Sequence, residues 1–148
     1  MQVETVIRLS QVKNIIGIKD ASYDMARPTL TRLKDKKGFV QLSGEDASAL
    51  GFLAQGGDGC ISVTANVPPR AMHDMCVAAA AGNASEAVRI NRRLTGLHRH
   101  LFCEANPIPV KWAVAEMGLM SHGVRLPLTT LTPVFHERIR AAMKQAGL

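Results

Sequence analysis

The chain has 148 residues, 47% of them hydrophobic, which is enough for one domain with a packed core and too apolar for disorder. No apolar run approaches the roughly 20 residues of a membrane span, no basic stretch followed by an apolar one opens the chain as a secretory leader would, and three widely spaced cysteines without a C-x-x-C argue against a disulfide framework and a zinc site. The formal net charge of +6 is scattered, and with a single Trp and a single Tyr there is no stacking platform, so solvated helix faces explain the charge better than nucleic acid, and an anionic small molecule would gain from the field.

In chain order, apolar residues Val3, Val6, Ile7 and Leu9 have a helical spacing within residues 3–12. Residues 15–20 then read as a short buried strand, with a near-continuous apolar run from Ile15 to Ile18. Asp24 is placed to cap a helix through residue 37 that turns Leu30 and Leu33 inward, with Pro28 in its first turn and Gly38 as its stop. Residues 39–43 form a second strand. Glu45 and Asp46 open a helix over 47–55, and Gly56, Gly57 and Gly59 break it. A third strand spans 60–64. Helices alternating with strands over short connections predict a parallel sheet with crossover helices.

After Asn66 the strand signal stops. Residues 69–81 read as a helix ended by Gly82 and Asn83. A long helix over 85–102 places Ala87, Ile90, Leu94, Leu97 and Leu101 on one face. Asn106 is a candidate cap for a helix over 107–117, with Gly118 past its end. Residues 123–133 read as a loop or extended arm, and 134–146 as a closing helix.

Lys19 is the residue that could carry chemistry. It closes the first strand, and strand alternation sets Ile15, Gly17 and Lys19 on one face and Ile16, Ile18 and Asp20 on the other. Gly17 would leave space one layer below the amine. A lysine taken out of water has a depressed pKa, and its neutral amine can attack a carbonyl to form a Schiff base. Its place at the C-terminal end of a strand is where (β/α) barrels carry their catalytic groups. The plain alternative is a lysine that ends a strand in solvent, and the strand pattern alone leaves both readings open. Lys111 is the rival lysine, placed in the first turns of a helix and read as structural. The glycines at 56–59 precede a strand and open no helix, so they are a turn and not a phosphate loop. Met72, Met75, Met117 and Met120 read as core or interface filler. The five histidines show no metal-ligand spacing on a shared face. Cys60, Cys76 and Cys103 read as half-buried thiols of a reducing cytoplasm.

Three runs carry a more specific pattern: NIIGIKDAS at 14–22, LSGEDASALGFLAQGGDGCISVTANVPP at 42–69 and NPIPVKWAVAEMGL at 106–119. Together they resemble the C-terminal half of the dihydrodipicolinate synthase family, within the pyruvate-dependent class I aldolases that include N-acetylneuraminate lyase. The resemblance runs from about residue 3 to 148. The lysine strand is shared across that superfamily; the second and third runs point to the synthase branch.

The resemblance implies an α/β fold made of the last three strands of a (β/α)8 barrel in residues 1–67, followed by a helical region with the last barrel helix in 68–148. A complete barrel needs about 250 residues, so the chain is expected to be a fragment lacking the half that binds the pyruvate carboxylate and supplies the proton relay. The implied activity is lyase chemistry on the route to diaminopimelate and lysine. Lys19 would form an imine with pyruvate, and the derived enamine would attack aspartate-4-semialdehyde. No metal or organic cofactor is implied, because the lysine is itself the electron sink. Gly44 and the main chain at Ile61 are the implied substrate contacts. Thr64 and Asn66 would shape the loop, while capping suffices for Glu45 and Asp46. A cytoplasmic homo-oligomer, commonly a tetramer, is implied. The alternatives are a non-catalytic half-barrel used as an assembly piece or left as a remnant, and a sister 2-keto acid aldolase such as N-acetylneuraminate lyase.

Overall fold

The helix–strand alternation predicted for the first third of the chain is present in the computed structural model, which describes residues 1–148. Helix α1 (Val3–Ser10) leads to strand β1 (Gly17–Asp20), then α2 (Arg27–Arg32), β2 (Val40–Ser43), α3 (Ala49–Ala54) and β3 (Gly59–Cys60). The strands form one parallel sheet in the order β1-β2-β3, with Lys19 level with Leu42 and Ser43 level with Cys60. A short 3-10 turn at Thr64–Asn66 ends this part. Four helices follow: α4 (Pro69–Ala80), α5 (Ala84–His100), α6 (Ile108–Glu116) and α7 (His136–Ala146).

Several expectations are corrected here. The third strand is two residues long, not five. The Ile61 amide makes the last bond to β2, donating to the Ser43 carbonyl at 2.8 Å. The amides of Val63 and Thr64 then turn away to the carboxylate of Asp46, so a side chain competes successfully with the ladder for these donors. The first strand begins at Gly17, and Ile16 is 73% exposed. Gly17 does not open space below the amine. A Cβ there would lie 2.5 Å from the Val40 carbonyl oxygen, so glycine permits the close approach of β2.

Helix α2 is six residues long and buries Arg27, Pro28 and Thr31, while Leu30 and Leu33 are exposed. The reason is an ion pair: Arg27 Nε donates to Asp20 Oδ2 at 2.8 Å with both side chains nearly buried, and this turns the Arg27 face toward the sheet. Asp24 still marks the start, accepting from the Ala26 amide at 3.0 Å. Asn106 makes no capping bond to α6, whereas Asn83 does cap α5 by accepting from the Glu86 amide.

The main hydrophobic core lies among the C-terminal helices. Of its buried residues only Ala49 precedes Val67. The predicted face of α5, from Ala87 through Leu101, is buried between α4 and α7. Met72 and Met75 of α4 are buried with it. Trp112 of α6 stacks on His136 at 4.5 Å between centroids, and Arg140 lies over the same indole while bonding Glu116. No helix of the chain is long and apolar enough to cross a membrane.

Candidate active site

The C-terminal ends of β1, β2 and β3 open onto one cleft of about 500 Å³. Lys19 comes from the end of β1, Gly44 from just after β2, and Ile61 and Ser62 from just after β3. The far wall is helical, with Asn106, Val110 and Lys111 of the α6 region. The three residues singled out in the sequence, Lys19, Gly44 and Ile61, are therefore brought together.

Gly44 is needed for the lysine itself. A Cβ at residue 44 would lie 2.7 Å from Lys19 Cε and 2.9 Å from Cγ, so the lysine stem runs directly over the glycine. The Gly44 amide donates to the Asp20 carbonyl at 2.7 Å, which ties the turn after β2 to the end of β1. Asp20 points away from the cleft into its pair with Arg27. Burial pushes the Asp20 carboxyl up, but hydrogen bonds from Arg27 and Ser22 outweigh it and hold the group below its ordinary range. The desolvation expected of Lys19 is not present. Its side chain is exposed in the cleft mouth, because three strands cannot close around it.

Asp46 does not cap the following helix as expected, because its carboxylate is taken by the loop after β3. Its side chain is buried. Oδ2 accepts from the amides of Val63 and Thr64, each at 3.0 Å, and Oδ1 accepts from the Ser62 hydroxyl. One carboxylate thus takes three donors from the segment that follows Ile61. Glu45 braces the turn that leads into α3, accepting from the Ala47 amide at 2.9 Å and the Ser48 amide at 2.6 Å, and the helix itself has no side-chain cap.

The clamp continues inward. Thr64 Oγ1 lies 2.9 Å from His98 Nδ1, and His98 Nε2 lies 3.3 Å from Asn91 Oδ1. The Asn91 oxygen accepts from Nε2–H, which leaves Nδ1 to accept from the threonine hydroxyl. Burial pushes the His98 pKa down, against the opposing charges of Asp46 and Glu45, so the ring is held neutral in this tautomer. Thr64 is fully buried in the loop that follows β3. Asn66 bonds the Val63 carbonyl through Nδ2 at 3.0 Å and also lines the cleft.

Sequence reasoning missed two contributions. Lys111 lines the same cleft as Lys19; its helical setting concealed a proximity that only the return of α6 to the strand ends creates. The clamp of Asp46, Thr64 and His98 joins residues separated by 18 and 34 positions, and no local pattern marks it.

The model of the dihydrodipicolinate synthetase family matches residues 1–146. The chain belongs to this family. Among family members, the 4-hydroxy-tetrahydrodipicolinate synthase of Azoarcus sp. (strain BH72) is 56% identical over 145 residues, covering 98% of this chain and 50% of the relative. That of Pseudomonas putida (strain W619) is 55% identical over 148 residues, covering 100% of this chain and 51% of the relative. The crystal structure of chloride-inhibited dihydrodipicolinate synthase from Acinetobacter baumannii complexed with pyruvate superposes with a TM-score of 0.93 at 44% identity, over 99% of this chain and 50% of that one. The Aquifex aeolicus enzyme gives the same TM-score at 35% identity, again over half of its chain. The chain thus spans about half the length of the curated relatives it matches, and the three-stranded sheet with its helices is a dihydrodipicolinate synthase fold.

Proposed function

We propose that residues 1–148 act as the C-terminal half of a 4-hydroxy-tetrahydrodipicolinate synthase, with the last three strands of a (β/α)8 barrel in 1–67 and a helical region in 68–148. The observation that carries this is the placement of Lys19: at the C-terminal end of β1, its stem over Gly44, in a cleft that Ile61 also lines. The solved Acinetobacter baumannii relative is complexed with pyruvate, and the same keto acid suits a cleft with two lysines, whose positive charge favours a carboxylate.

In this reading the Lys19 amine attacks the pyruvate ketone carbon, water leaves, and an iminium forms. The iminium acidifies the methyl group, loss of a proton gives an enamine, and the enamine carbon bonds to the aldehyde of aspartate-4-semialdehyde. The main chain at Ile61 lies beside the keto acid; its carbonyl accepts no hydrogen bond from the rest of the chain. The side chains of the cleft include amines, amides and a hydroxyl but no carboxylate, imidazole or phenol, so the proton transfers are assigned to groups outside residues 1–148. A cytoplasmic oligomer of whole chains, a tetramer in the family's common form, goes with this reading.

The test is borohydride trapping with pyruvate, applied to this chain alone and mixed with the separately expressed N-terminal half of the Azoarcus relative. The expected product is a reduced adduct on the peptide that carries Lys19, lost in Lys19→Arg because guanidinium cannot serve as the amine and retained in Lys111→Arg. An adduct on Lys111, or none in the mixture, overturns the assignment. A second reading, an assembly piece without activity of its own, is favoured by the unpaired outer edges of β1 and β3 and by exposed Ile16 and Leu33. It predicts association of the chain without trapping in either sample.

A further inference from the structure

Two cysteines distant in the chain meet where β3 gives way to the cleft loop. Cys60 is the last residue of β3 and Cys76 lies in the middle of α4, with their sulfurs 3.6 Å apart. Both are half-buried and neither is in a disulfide. We propose that Cys60 and Cys76 form an oxidisable dithiol site, which a peroxide converts to an intramolecular disulfide joining the end of β3 to α4.

The geometry favours this pair over the third cysteine. A disulfide requires the sulfurs to close to about 2.0 Å, so the two groups are already in contact and no element must be brought from a distance. Cys103, also half-buried, has no second thiol against it. The order of events follows from the surroundings. Either sulfur can donate in this contact, but the charge of Asp46 acts on Cys60 and disfavours its thiolate, so Cys76 is the more acidic of the two. Cys76 is therefore the nucleophile.

In the first step the Cys76 thiolate attacks one peroxide oxygen. The O–O bond breaks, hydroxide leaves and takes a proton as water, and Cys76 becomes a sulfenic acid. In the second step the Cys60 sulfur attacks the Cys76 sulfur. The S–O bond breaks, and the hydroxyl leaves as water with the Cys60 proton. Two thiols lose two electrons and two protons, and one hydrogen peroxide becomes two waters.

The experiment treats the reduced chain with stoichiometric hydrogen peroxide, quenches by alkylation and maps the peptides by mass spectrometry. The intact mass should fall by two hydrogens, and two of the three thiols should be lost to alkylation. A linked peptide pair should join Cys60 to Cys76, and dithiothreitol should restore all three thiols. Cys103→Ser should leave the link intact. Cys60→Ser should abolish it and leave a dimedone-reactive sulfenic acid on Cys76. In a urea-unfolded chain, where the three thiols meet without native packing, links to Cys103 should appear beside the Cys60–Cys76 link. Oxidation of Cys103 ahead of the pair, disulfides only between chains, or the same mixture of links folded and unfolded would overturn the proposal. The unmodified chain supplies the decisive readout even if a serine variant folds poorly.

Discussion

The stem of Lys19 runs over the bare backbone of Gly44, so closely that a single added methyl at residue 44 would meet both Cε and Cγ of the lysine. The glycine at the end of one strand therefore shapes the path of an amine presented by its neighbour. Its own backbone needs no left-handed conformation, so the requirement is space alone.

Gly44→Ala should accordingly separate chemistry from stability. The displaced amine should lower pyruvate trapping, measured in the mixture with the N-terminal half, on the order of a hundredfold. Chemical denaturation should change by no more than about 1 kcal/mol, because alanine at an unstrained glycine position also restricts the unfolded chain. Unchanged trapping would mean that the lysine reaches its target by another route.

Asp46→Ala removes one acceptor from three donors. Leaving buried donors unpaired costs about 1–3 kcal/mol each, so loss of folding stability at the upper end of ordinary point substitutions is expected. Amide exchange should rise first at Val63 and Thr64, which bond the carboxylate directly. Asp46→Asn should recover part of the loss, since its side-chain oxygen can still accept. Equal protection of these amides in the alanine variant would remove the clamp from the account.

His98 gives the chain a mild-acid sensitivity. Burial lowers its folded pKa below the ordinary 6.5, so the unfolded state takes up a proton at a higher pH than the folded state does. Stability from the neutral ring is thus complete above about pH 6.5 and is lost as pH falls toward the folded value. Denaturation midpoints measured through this window should decline in the native chain and be flatter in His98→Gln. A parallel decline in both would assign the effect elsewhere.

The pair of Asp20 and Arg27 should act at lower pH and in the same direction. The folded Asp20 carboxyl is held below its ordinary 3.8, so its contribution is present above that value and lost as pH falls through the folded one. Arg27→Met strands the carboxylate near the sheet and should cost about 3–5 kcal/mol if the site stays closed to water. The double change Asp20→Asn with Arg27→Met should cost less than the single one, measured by denaturant unfolding. Additive losses would show that the two groups are not coupled.

Lys19 stood out locally as the lysine that ends an apolar run, whereas Gly44 and Ile61 were singled out only by the resemblance of their runs to the synthase family. The α5 face was legible locally, since Ala87, Ile90, Leu94 and Leu97 repeat at the helical period. The expected burial of Leu30 and Leu33 failed because a six-residue helix follows its strongest contact, and here that contact is the ion pair of Arg27 with Asp20. The third strand was overdrawn because Ile61, Val63 and Thr64 are β-branched and signal extended chain, whereas Asp46 claims the amides of Val63 and Thr64.

By itself the sequence determined the alternation of helices and strands, the apolar faces of the long helices and the lysine at the end of the first strand, because each depends on neighbours within a turn or two. Tertiary structure alone decided what surrounds that lysine. It brought Lys111 back to the strand ends, tied the loop after Ile61 to Asp46 and His98, and set Cys60 against Cys76. Those relationships depend on the directions in which crossover helices return the chain, and residues 16 to 92 positions apart carry no mutual signal until packing brings them within a few ångströms.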